Sequence, residues 1–439
     1  MLRVWADRRP VGVIERSRGR PTASAFGDFG TLFSYDRGLS EECAVSLTMP
    51  VRSASWGVPR GLLPVFDMNL PEGALREHLT RAFAKAAGTF DDLDLLGVVG
   101  RSQIGRLRFT GLDETLDEDV PFASVDEILS ARRDGDLYGY LVERFAVHSG
   151  ISGVQPKVML RDGAHLPRPR ERAKESGVVK SATHIVKFWE QTDYVDLAAN
   201  EFYCLMAAGK AGLDVPRHEL SSDGTAIVIE RFDVRADGTC VGFEDFCVLN
   251  GLTSRDKYNG SYEARLFKRI PEFVAGEGEE RRAAAAHFFR SFVCRAALRD
   301  GDGHLKNYGL VYDDVRGKVS PAPVYDVITT TAYVPRDGMA LTLDGSTRWP
   351  SRKKLLLLGQ ARCGLSAREA KDALEATADA IAETAPEARR YFADRPAAGR
   401  EIGERMLAAW ADGIRDLGFE AKSVAVRGLP EDETAPPAP

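Results

Sequence analysis

The feature that most constrains this chain is a short polar segment that follows an apolar helical pattern in the second half of the sequence. Residues 297–308 read Ala-Leu-Arg-Asp-Gly-Asp-Gly-His-Leu-Lys-Asn-Tyr, and four residues separate Asp302 from Asn307. In phosphotransfer enzymes an aspartate orients the acceptor hydroxyl and accepts its proton, and an asparagine further along the loop holds Mg²⁺ beside the nucleotide phosphates. The spacing therefore indicates a phosphotransfer catalytic loop.

A second extended stretch is predicted to return to this loop. Residues 308–312 have a strand-like pattern, 313–317 contain turn-forming residues, and a further extended run continues through 324–328. Interpreted as a hairpin, these segments bring Asp326 back beside Asn307.

Asn307 and Asp326 are the predicted metal ligands, because Mg²⁺ binds few protein carboxylates and completes its coordination with phosphate oxygens and water. Asp326 would then have the role of the aspartate in the Asp-Phe-Gly motif of kinases, although Val327 and Ile328 replace the Phe and the Gly. The alternative is that Asp302 and Asn307 form only turn hydrogen bonds and that Asp326 caps the helix that follows.

A candidate phosphate-binding loop lies in the first half of the chain. The segment Ser149-Gly-Ile-Ser-Gly-Val-Gln-Pro-Lys157 is rich in small residues and precedes a strand-like run over 158–160. Its two glycines let backbone N–H groups approach phosphate oxygens, although the segment does not match G-x-G-x-x-G.

Lys187 lies in the alternating pattern of a strand predicted over 183–188. In kinases a lysine on such a strand reaches the α- and β-phosphates. A helix predicted over 195–211 carries Glu201, which would pair with Lys187 and orient it. The alternatives are a solvated lysine at a sheet edge and a glutamate on the surface.

An apolar strand predicted over 226–233 ends in Glu-Arg-Phe-Asp. At a crossing between two lobes, backbone groups at Glu230 and Phe232 would bond adenine, and the Phe232 ring would pack on it. The alternative is a buried strand capped by the Glu-Arg pair.

Together these residues resemble the HipA-type toxin serine/threonine kinases of bacterial toxin–antitoxin modules, over most of the chain. Less specific similarity occurs in the N-terminal part at 11–14, 45–47 and 66–71. The resemblance rests on six motifs in order, namely Ser-Gly-Val-Gln-Pro-Lys at 152–157, Thr-His-Ile-Val-Lys at 183–187, Asn-Glu-Phe-Tyr-Cys at 200–204, Ile-Glu-Arg-Phe-Asp at 229–233, Asp-Gly-His-Leu-Lys-Asn at 302–307 and Val-Tyr-Asp-Val-Ile at 324–328.

The resemblance implies an α+β, bilobal protein-kinase-like fold with a β-rich N-terminal accessory region and a mainly helical C-terminal lobe. It makes Asp302 the catalytic aspartate, Asn307 and Asp326 the Mg²⁺ ligands, and Lys187 the phosphate lysine. The residues that it places around ATP are Ser152, Gly153, Val154, Gln155, Pro156, Lys157, Lys187, Glu230, Arg231, Phe232, His304, Leu305, Lys306, Asn307, Tyr325 and Asp326.

The expected reaction is transfer of the γ-phosphoryl group of Mg-ATP to a serine or threonine of a protein, with positioning and charge neutralisation supplying most of the rate. Lys306 is expected to be a second catalytic residue, which stabilises charge on the transferring group. His304 is expected to brace the loop.

The resemblance also implies partners. The protein substrate would be a cytosolic target such as an aminoacyl-tRNA synthetase, and phosphorylation would arrest growth. A small HipB-like helix-turn-helix antitoxin would recruit the kinase to operator DNA.

One residue departs from the family pattern. Many such kinases carry a serine two residues before the Ser/Ala-Gly of the phosphate loop, where autophosphorylation ejects the loop, and here that position is Gly150. Self-inactivation would then be missing, or shifted to Ser149 or Ser152.

Composition agrees with a cytoplasmic enzyme of two or three domains, because 439 residues with 44% apolar content can bury a large core. A net charge of −6 argues against a surface that binds nucleic acid as a whole. The basic run at 168–174 is interpreted first as a mobile, solvated hairpin connection and second as a contact for an acidic partner. The six cysteines show no C-x-x-C spacing, which argues against a zinc ribbon and a disulfide framework. Neither a signal peptide nor a membrane span is predicted.

The predicted organisation has four parts. A β-rich accessory domain occupies 1–112, an ATP-binding section 113–235, a helical catalytic lobe 236–427, and a disordered tail 428–439. Helices are expected at about 71–87, 283–297, 366–384 and 398–417, and the strands at 3–6 and 11–14 are expected to form a hairpin.

Two other functional classes stay open. The Gly-Asp-Gly-His-x-x-Asn spelling also resembles small-molecule kinases of the aminoglycoside and lipid type. The other alternative is an inactive pseudokinase that acts as a co-repressor bound to an antitoxin, for which the altered phosphate loop is the indication.

Overall fold

A computed structural model describes residues 1–17, 30–87, 90–116, 120–130, 137–162, 181–189, 194–274, 278–421 and 424. The basic run at 168–174 and the tail at 428–439 lie outside these residues.

The first part of the chain forms a five-stranded antiparallel sheet with the order β4-β3-β2-β1-β5. Every second residue of the first strand is buried, as expected for a sheet with one face on the core. The predicted hairpin is confirmed, since Leu2 lies opposite Ile14. The strands are β1 Leu2–Ala6, β2 Arg9–Arg16, β3 Thr31–Tyr35, β4 Trp56–Val58 and β5 Leu107–Thr110.

Helices cover this sheet and lead to the next one. Phe66 packs edge-to-face on Phe33 and Phe109, with ring centroids 5.2 and 5.6 Å apart, and so joins a helix to the sheet. The helix predicted at 71–87 is confirmed, whereas the helix at 92–99 was not predicted. The helices are α1 Pro64–Asp67, α2 Gly73–Ala87, α3 Asp92–Val99, α4 Val125–Leu129 and α5 Leu137–Phe145.

The second sheet has the order β6-β7-β8-β10-β9 and lies between two hydrophobic cores. Val158 belongs to the core of the N-terminal part, and Ile227 belongs to the core of the helical lobe. Because both faces are covered, all residues of the strand that contains Val158 are buried. The strands are β6 Phe122–Ala123, β7 Lys157–Asp162, β8 His184–Phe188, β9 His218–Leu220 and β10 Ala226–Glu230, and helix α6 Leu197–Lys210 packs beside β10.

The rest of the chain is mainly helical, around a three-stranded sheet with the order β11-β12-β13. This sheet contains the hairpin predicted after the catalytic loop, although only 319–321 of its returning arm is paired as a strand. The strands are β11 Gly242–Asp245, β12 Gly309–Tyr312 and β13 Val319–Pro321. The helices are α7 Phe246–Leu249, α8 Ile270–Phe273, α9 Glu279–Ala297, α10 Arg352–Cys363, α11 Ala367–Ala393 and α12 Ala397–Asp416.

Two of these helices differ from the sequence predictions. Helix α10 was not predicted, and α11 continues beyond the predicted 366–384 through Pro386. A capping box of Ser366 and Glu369 starts α11, and a buried face that includes Leu374 and Ile381 stabilises it, so tertiary packing outweighs the cost of a proline inside the helix.

None of the helices that the model describes is both long enough and apolar enough to cross a membrane.

The backbones of α9 and α12 touch at a glycine. An ideal Cβ on Gly413 would lie 1.8 Å from the carbonyl oxygen of Ala297, where α9 ends and the catalytic loop approaches. We expect Gly413→Ala to lower the free energy of unfolding in urea by about 2 kcal/mol or more, because the two helices must separate.

Gly97→Ala in α3 is the matched control. There the added methyl group would meet only the end of the Leu2 side chain, at 3.3 Å. Equal losses in the two variants would contradict the close approach of α9 and α12.

Candidate active site

A cavity of about 770 Å³ collects residues from the second and third sheets, from loops of the helical lobe, and from helices and loops of the N-terminal part. Met68 and Asn69 reach it from the N-terminal part, Lys187 from the second sheet, and Asp302 and Asp326 from the helical lobe. The sequence-predicted residues that line it are Ser152, Gly153, Val154, Gln155, Pro156, Lys157, Lys187, Glu230, Arg231, Phe232, Asp302, His304, Lys306, Asn307, Tyr325 and Asp326.

Leu305 is the sequence-predicted residue that does not belong to the cavity wall. Its side chain is fully buried in the core of the helical lobe, and its N–H donates to the Lys257 carbonyl at 3.2 Å. The expectation that Leu305 contacts a nucleotide therefore does not agree with its position; its apolar side chain anchors the catalytic loop instead.

Arg295 holds the catalytic loop and the Asp326 segment together from beneath. Its guanidinium forms a buried ion pair with Asp300 and donates to the carbonyls of Asn307, at 3.1 Å, and Asp326, at 2.7 Å. It also donates to the Tyr325 carbonyl at 2.5 Å. One buried cation therefore fixes the backbone on both sides of the site.

Asn307 and Asp326 lie side by side, as the hairpin prediction requires. The Asn307 amide nitrogen donates to the Asp326 carbonyl at 3.3 Å, and the Asn307 Oδ1 is buried without a hydrogen-bond partner among the described residues. Asp326 has a φ of +51°, a left-handed conformation that non-glycine residues adopt mostly at special positions. The two side chains thus offer hard oxygen ligands to a cation.

The described residues contain no cluster of three or more His, Cys, Asp or Glu side chains arranged for a metal. A site with one carboxylate and one carboxamide leaves most positions to water and phosphate, which suits Mg²⁺ better than a structural metal.

Lys187 lies between two carboxylates. Its ammonium group contacts Glu201 of α6 at 2.5 Å and also pairs with Asp326. Burial alone would lower the pKa of Lys187, but the charges of Asp326 and Glu201 raise it above the usual range. Burial alone would raise the pKa of Asp326, but Lys187 and Lys157 hold it well below the usual range. The predicted Lys187–Glu201 pair is present.

A second lysine lies next to Lys187 on the neighbouring strand of the sheet. Lys157 of β7 lies directly opposite Lys187 of β8, and its ammonium group donates to the Ser152 carbonyl at 3.1 Å. Burial lowers the pKa of Lys157. Like charges opposite one another destabilise a sheet, so this pair indicates a place where an anion binds.

The loop before Lys157 packs against the N-terminal part. A Cβ on Gly73, at the start of α2, would lie 2.4 Å from the Val154 carbonyl. Gly153 has a φ of +113°, which favours glycine. The side-chain nitrogen Nε2 of Gln155 is buried without a hydrogen-bond partner among the described residues. An unused buried donor beside two lysines suits phosphate binding.

Gly150 and Ser149 are both fixed by neighbours. Gly150 bridges to 102–104 through backbone hydrogen bonds, and a Cβ on it would meet the Gln103 side chain at 2.1 Å and the Ser102 carbonyl at 2.4 Å. The fully buried Ser149 hydroxyl donates to the Phe145 carbonyl at 2.8 Å and accepts from the Met159 N–H at 2.8 Å. Ser152 lines the cavity.

Phe232 and Tyr325 form one wall of the cavity, with ring planes 27° apart and centroids at 5.7 Å. The Glu230 N–H donates to Arg217, and the Arg231 N–H donates to Thr183, so both backbone donors are already used. The Arg231 side chain is buried in an ion pair with Asp233. Of the two residues expected to bond adenine, Glu230 therefore has its N–H already used, and Phe232 offers an aromatic surface.

Lys306 and His304 fix the loop from inside. The Lys306 ammonium donates to the Met68 carbonyl at 2.7 Å and pairs with Asp245 at 3.1 Å. Burial lowers the pKa of His304 well below its usual range, with further lowering by Lys257 and Lys306. Burial thus favours the neutral form of His304, whose bracing role stays a prediction, and the contacts of Lys306 join the loop to the N-terminal part.

Asp302 accepts a hydrogen bond from the Tyr258 hydroxyl at 2.6 Å. Burial raises the pKa of Asp302, while the Tyr258 hydrogen bond and the charge of Lys257 act in the opposite direction. Lys257 pairs with Glu72 of the N-terminal part at 3.1 Å.

The sequence predicted no role for four residues of the site, Tyr258, Lys257, Glu72 and Arg295. The first three lie far from Asp302 in sequence and carry no motif. A buried arginine in the last turns of an apolar helix was the one available signal, because charged residues are rarely buried without a partner.

The Arg295–Asp300 pair gives a stability prediction. We expect Arg295→Met to lower the free energy of unfolding by about 3–5 kcal/mol, because it leaves a buried carboxylate and three carbonyls without their donor. Urea unfolding measures the loss.

Adding Asp300→Asn to Arg295→Met should recover part of this loss, since no unpaired charge then remains. Arg405→Met, which removes an exposed pair with Glu401, should change little. A double variant no more stable than Arg295→Met would show that the ion pair is not the source of the loss.

Family models match both parts of the chain. One described as the HipA N-terminal domain matches residues 2–110, and one described as the HipA-like C-terminal domain matches residues 149–385.

Two similar proteins come from Sinorhizobium fredii (strain NBRC 101917 / NGR234). "Putative kinase Y4dM" is 28% identical over 381 residues, which are 82% of this chain and 79% of that protein. "Putative kinase Y4mE" is 28% identical over 353 residues, which are 76% of this chain and 78% of that protein.

A similar solved structure is that of Shewanella oneidensis MR-1 HipA, in a complex with HipB and its operator DNA. It is 19% identical, has a TM-score of 0.63, and the alignment covers 97% of this chain and 99% of that chain. The predicted α+β, kinase-like fold is confirmed. Because the C-terminal model alone matches 149–385 of 439 residues, which is more than half, this chain belongs to the HipA family.

Proposed function

We propose that this HipA-family protein is an ATP- and Mg²⁺-dependent serine/threonine protein kinase and the toxin of a toxin–antitoxin module. It would act in the cytoplasm and phosphorylate a translation-related protein, such as an aminoacyl-tRNA synthetase, and so arrest growth. The observation that carries the proposal is the convergence of Asp302, Asn307 and Asp326 on one cavity with Lys187.

The residues beside Asp326 fit a magnesium ion. The buried, unpartnered Oδ1 of Asn307 and the carboxylate of Asp326 would hold it. When bound, Mg²⁺ neutralises charge on the β- and γ-phosphates and so lowers the barrier to transfer.

Lys157 and Lys187 would bind the phosphates of ATP. Both are buried and lie opposite one another, so a polyphosphate chain would relieve the repulsion between them. Lys187 would exchange Asp326 for a phosphate oxygen and stay oriented by Glu201. The stacked rings of Phe232 and Tyr325 would form an aromatic wall on which adenine packs.

Asp302 would orient the acceptor hydroxyl and accept its proton as the oxygen attacks the γ-phosphorus. The bond from the γ-phosphorus to the β–γ bridging oxygen breaks, and ADP leaves. Lys306 retains its proposed role in stabilising charge on the transferring group, although its ammonium must exchange at least one of its two present partners, Met68 and Asp245, to reach a phosphate.

The rim of the cavity favours a protein acceptor over a sugar. Four of its lining residues are large, apolar or aromatic, and between 45% and 64% exposed. Exposed apolar surface around a cleft favours contact with a macromolecule. These residues are Val154, Tyr194, Tyr258 and Val334.

A HipB-like helix-turn-helix antitoxin would be the regulatory partner and would carry most of the contact with operator DNA. The Shewanella oneidensis structure supports this proposal in that it is a complex of HipA with HipB and operator DNA. The packing of Gly150 leaves no room for a larger side chain at that position. Ser149 is buried and bonded, so Ser152 is the better candidate if autophosphorylation of this loop occurs.

Asp302→Asn tests the assignment of the base. We expect phosphoryl transfer from Mg-ATP to fall by about 10²–10⁴-fold, because general-base assistance is lost. Affinity for Mg-ATP should be nearly unchanged, since Asp302 does not bind the nucleotide in this proposal. Phosphoproteomics after a brief pulse of expression, with the intact protein and the variant compared, measures transfer and names the target.

Three outcomes would count against parts of the proposal; the first is read from the phosphoproteomic comparison, the second from transfer of labelled γ-phosphate in lysate, and the third from an ATP-binding measurement. Retained transfer in Asp302→Asn would show that the base is wrongly assigned. Label found only in small metabolites would favour a small-molecule kinase. An intact protein that binds ATP but transfers nothing would favour a pseudokinase.

Glu201→Gln tests the role of the Lys187–Glu201 pair. The variant keeps the shape of the side chain but removes the charge that orients Lys187 away from the sheet. We expect the Michaelis constant for ATP to rise by about tenfold, equivalent to roughly 1.4 kcal/mol of lost phosphate binding. Glu369→Gln, at the exposed start of α11, is the control. Equal Michaelis constants for ATP in Glu201→Gln and wild type would contradict the proposal that Glu201 orients Lys187.

A further inference from the structure

The acceptor side of the site contains a hydroxyl that belongs to the protein itself. The Tyr258 hydroxyl donates to Asp302 Oδ1 at 2.6 Å, and Tyr258 is 49% exposed. Its ring packs edge-on against His304, with centroids 5.0 Å apart. The hydroxyl of a half-exposed tyrosine is thus hydrogen-bonded to Asp302, the general base of the proposed function.

The chemistry of this contact is that of an acceptor. A serine or threonine that is about to be phosphorylated must donate its hydroxyl proton to Asp302, and the Tyr258 hydroxyl already makes that type of hydrogen bond. A hydroxyl bonded to a carboxylate is held more strongly than one bonded to a neutral group. An incoming hydroxyl therefore competes with Tyr258.

The residue before Tyr258 is fixed while the ring is not enclosed. The Lys257 ammonium is held by Glu72 of the N-terminal part, and the Lys257 carbonyl accepts from the Leu305 N–H of the catalytic loop. Lys257 is 9% exposed, against 49% for Tyr258. Rotation of the Tyr258 side chain toward solvent would therefore clear Asp302 without moving the backbone anchored by Lys257.

We propose that the Tyr258 hydroxyl occupies the acceptor position on Asp302 in the resting protein and leaves it when a substrate hydroxyl arrives. This inference rests on the proposed kinase function. Tyr258 acts as a gate: it excludes water from Asp302, which limits futile ATP hydrolysis, and it weakens the apparent affinity for every acceptor by the same factor. Only an acceptor whose surrounding contacts compensate for the displaced hydrogen bond is used efficiently, which favours a folded protein partner over a small alcohol.

Tyr258→Phe removes the hydroxyl and keeps the ring against His304. The full-length variant and wild type are compared with Mg-ATP in two assays: ATP hydrolysis without added protein, and transfer to dephosphorylated casein as a serine-bearing probe. We expect hydrolysis to rise, and the Michaelis constant for casein to fall, by about 10- to 100-fold, as expected for a lost hydrogen bond to a charged group. The maximal rate with casein and the Michaelis constant for ATP should stay within about twofold of the wild-type values, because Tyr258 is displaced in the productive complex.

Tyr391→Phe is the matched control, since this tyrosine packs on Tyr203 and Phe392 in the helical lobe. A lower maximal rate in Tyr258→Phe, with an unchanged or higher Michaelis constant for casein, would overturn the gate proposal. Tyr258 would then be a residue that positions Asp302 during transfer. Hydrolysis equal to that of wild type would also overturn it.

Failure of the gate and failure of the kinase function give different results. If wild type transfers phosphate and Asp302→Asn does not, but Tyr258→Phe equals wild type in both assays, the function stands and the gate is wrong. If wild type neither hydrolyses ATP nor transfers its phosphate, and Tyr258→Phe does no more, both fail together.

Discussion

The buried ammonium group of Lys187 is the interaction on which the geometry of the site depends. It joins a strand of the second sheet, helix α6 through Glu201, and the segment after the hairpin through Asp326. A charge this deeply buried is tolerated only with partners, since the cost of removing it from water is several kcal/mol. Each of the three elements is therefore held where it satisfies the same cation, and the proposed phosphate-binding side of the cavity lies beside its proposed metal-binding side.

The N-terminal part is structurally continuous with this site. Its loop at 44–49 is tied to the helical lobe by the fully buried Glu244, which accepts from the Ser46 hydroxyl at 2.6 Å and from the Leu47 N–H at 2.8 Å. Burial raises the pKa of Glu244, and these donors act against that rise. Together with the contacts of Lys306 with Met68 and of Lys257 with Glu72, they hold the N-terminal part against the cavity, and its helices and loops form a third wall there. An accessory region attached only by a linker would not supply such contacts.

Local patterns predicted the elements that have local causes. The β1–β2 hairpin, the helix that carries Glu201, and the hairpin that returns to Asp326 all follow from alternation, periodicity and turn residues. The six motifs, which occur in the family's order, then predicted that Lys187, Asn307 and Asp326 lie together in one site. Helix α10 was missed because its sequence, Arg-Lys-Lys-Leu-Leu-Leu-Leu-Gly-Gln, has charges followed by an unbroken apolar run rather than a helical period.

What could not be predicted depends on contacts between distant parts of the chain. Nothing near Tyr258 or Glu72 in sequence indicates that the first donates to Asp302 or that the second holds Lys257, since 44 residues separate one pair and 185 the other. The same holds for Leu305. Its place within a motif suggested a ligand contact, whereas its apolar side chain is better buried, and motif membership alone does not separate residues that face a ligand from those that support them.

The charged side chains Lys187, Asp326 and Asp302 of the resting site have partners within the chain, and this explains why they contact neighbouring residues where substrates would bind. Lys187 pairs with Asp326 on the phosphate side, and Tyr258 donates to Asp302 on the acceptor side. A buried carboxylate or ammonium without a partner would destabilise the free protein. In our proposals, contacts within the chain therefore take the place of the phosphate and of the acceptor hydroxyl. Substrate binding then exchanges one set of charged contacts for another instead of creating a new set. The free energy of binding is correspondingly reduced, and selectivity depends on the acceptor's contacts with the exposed apolar rim around the cavity.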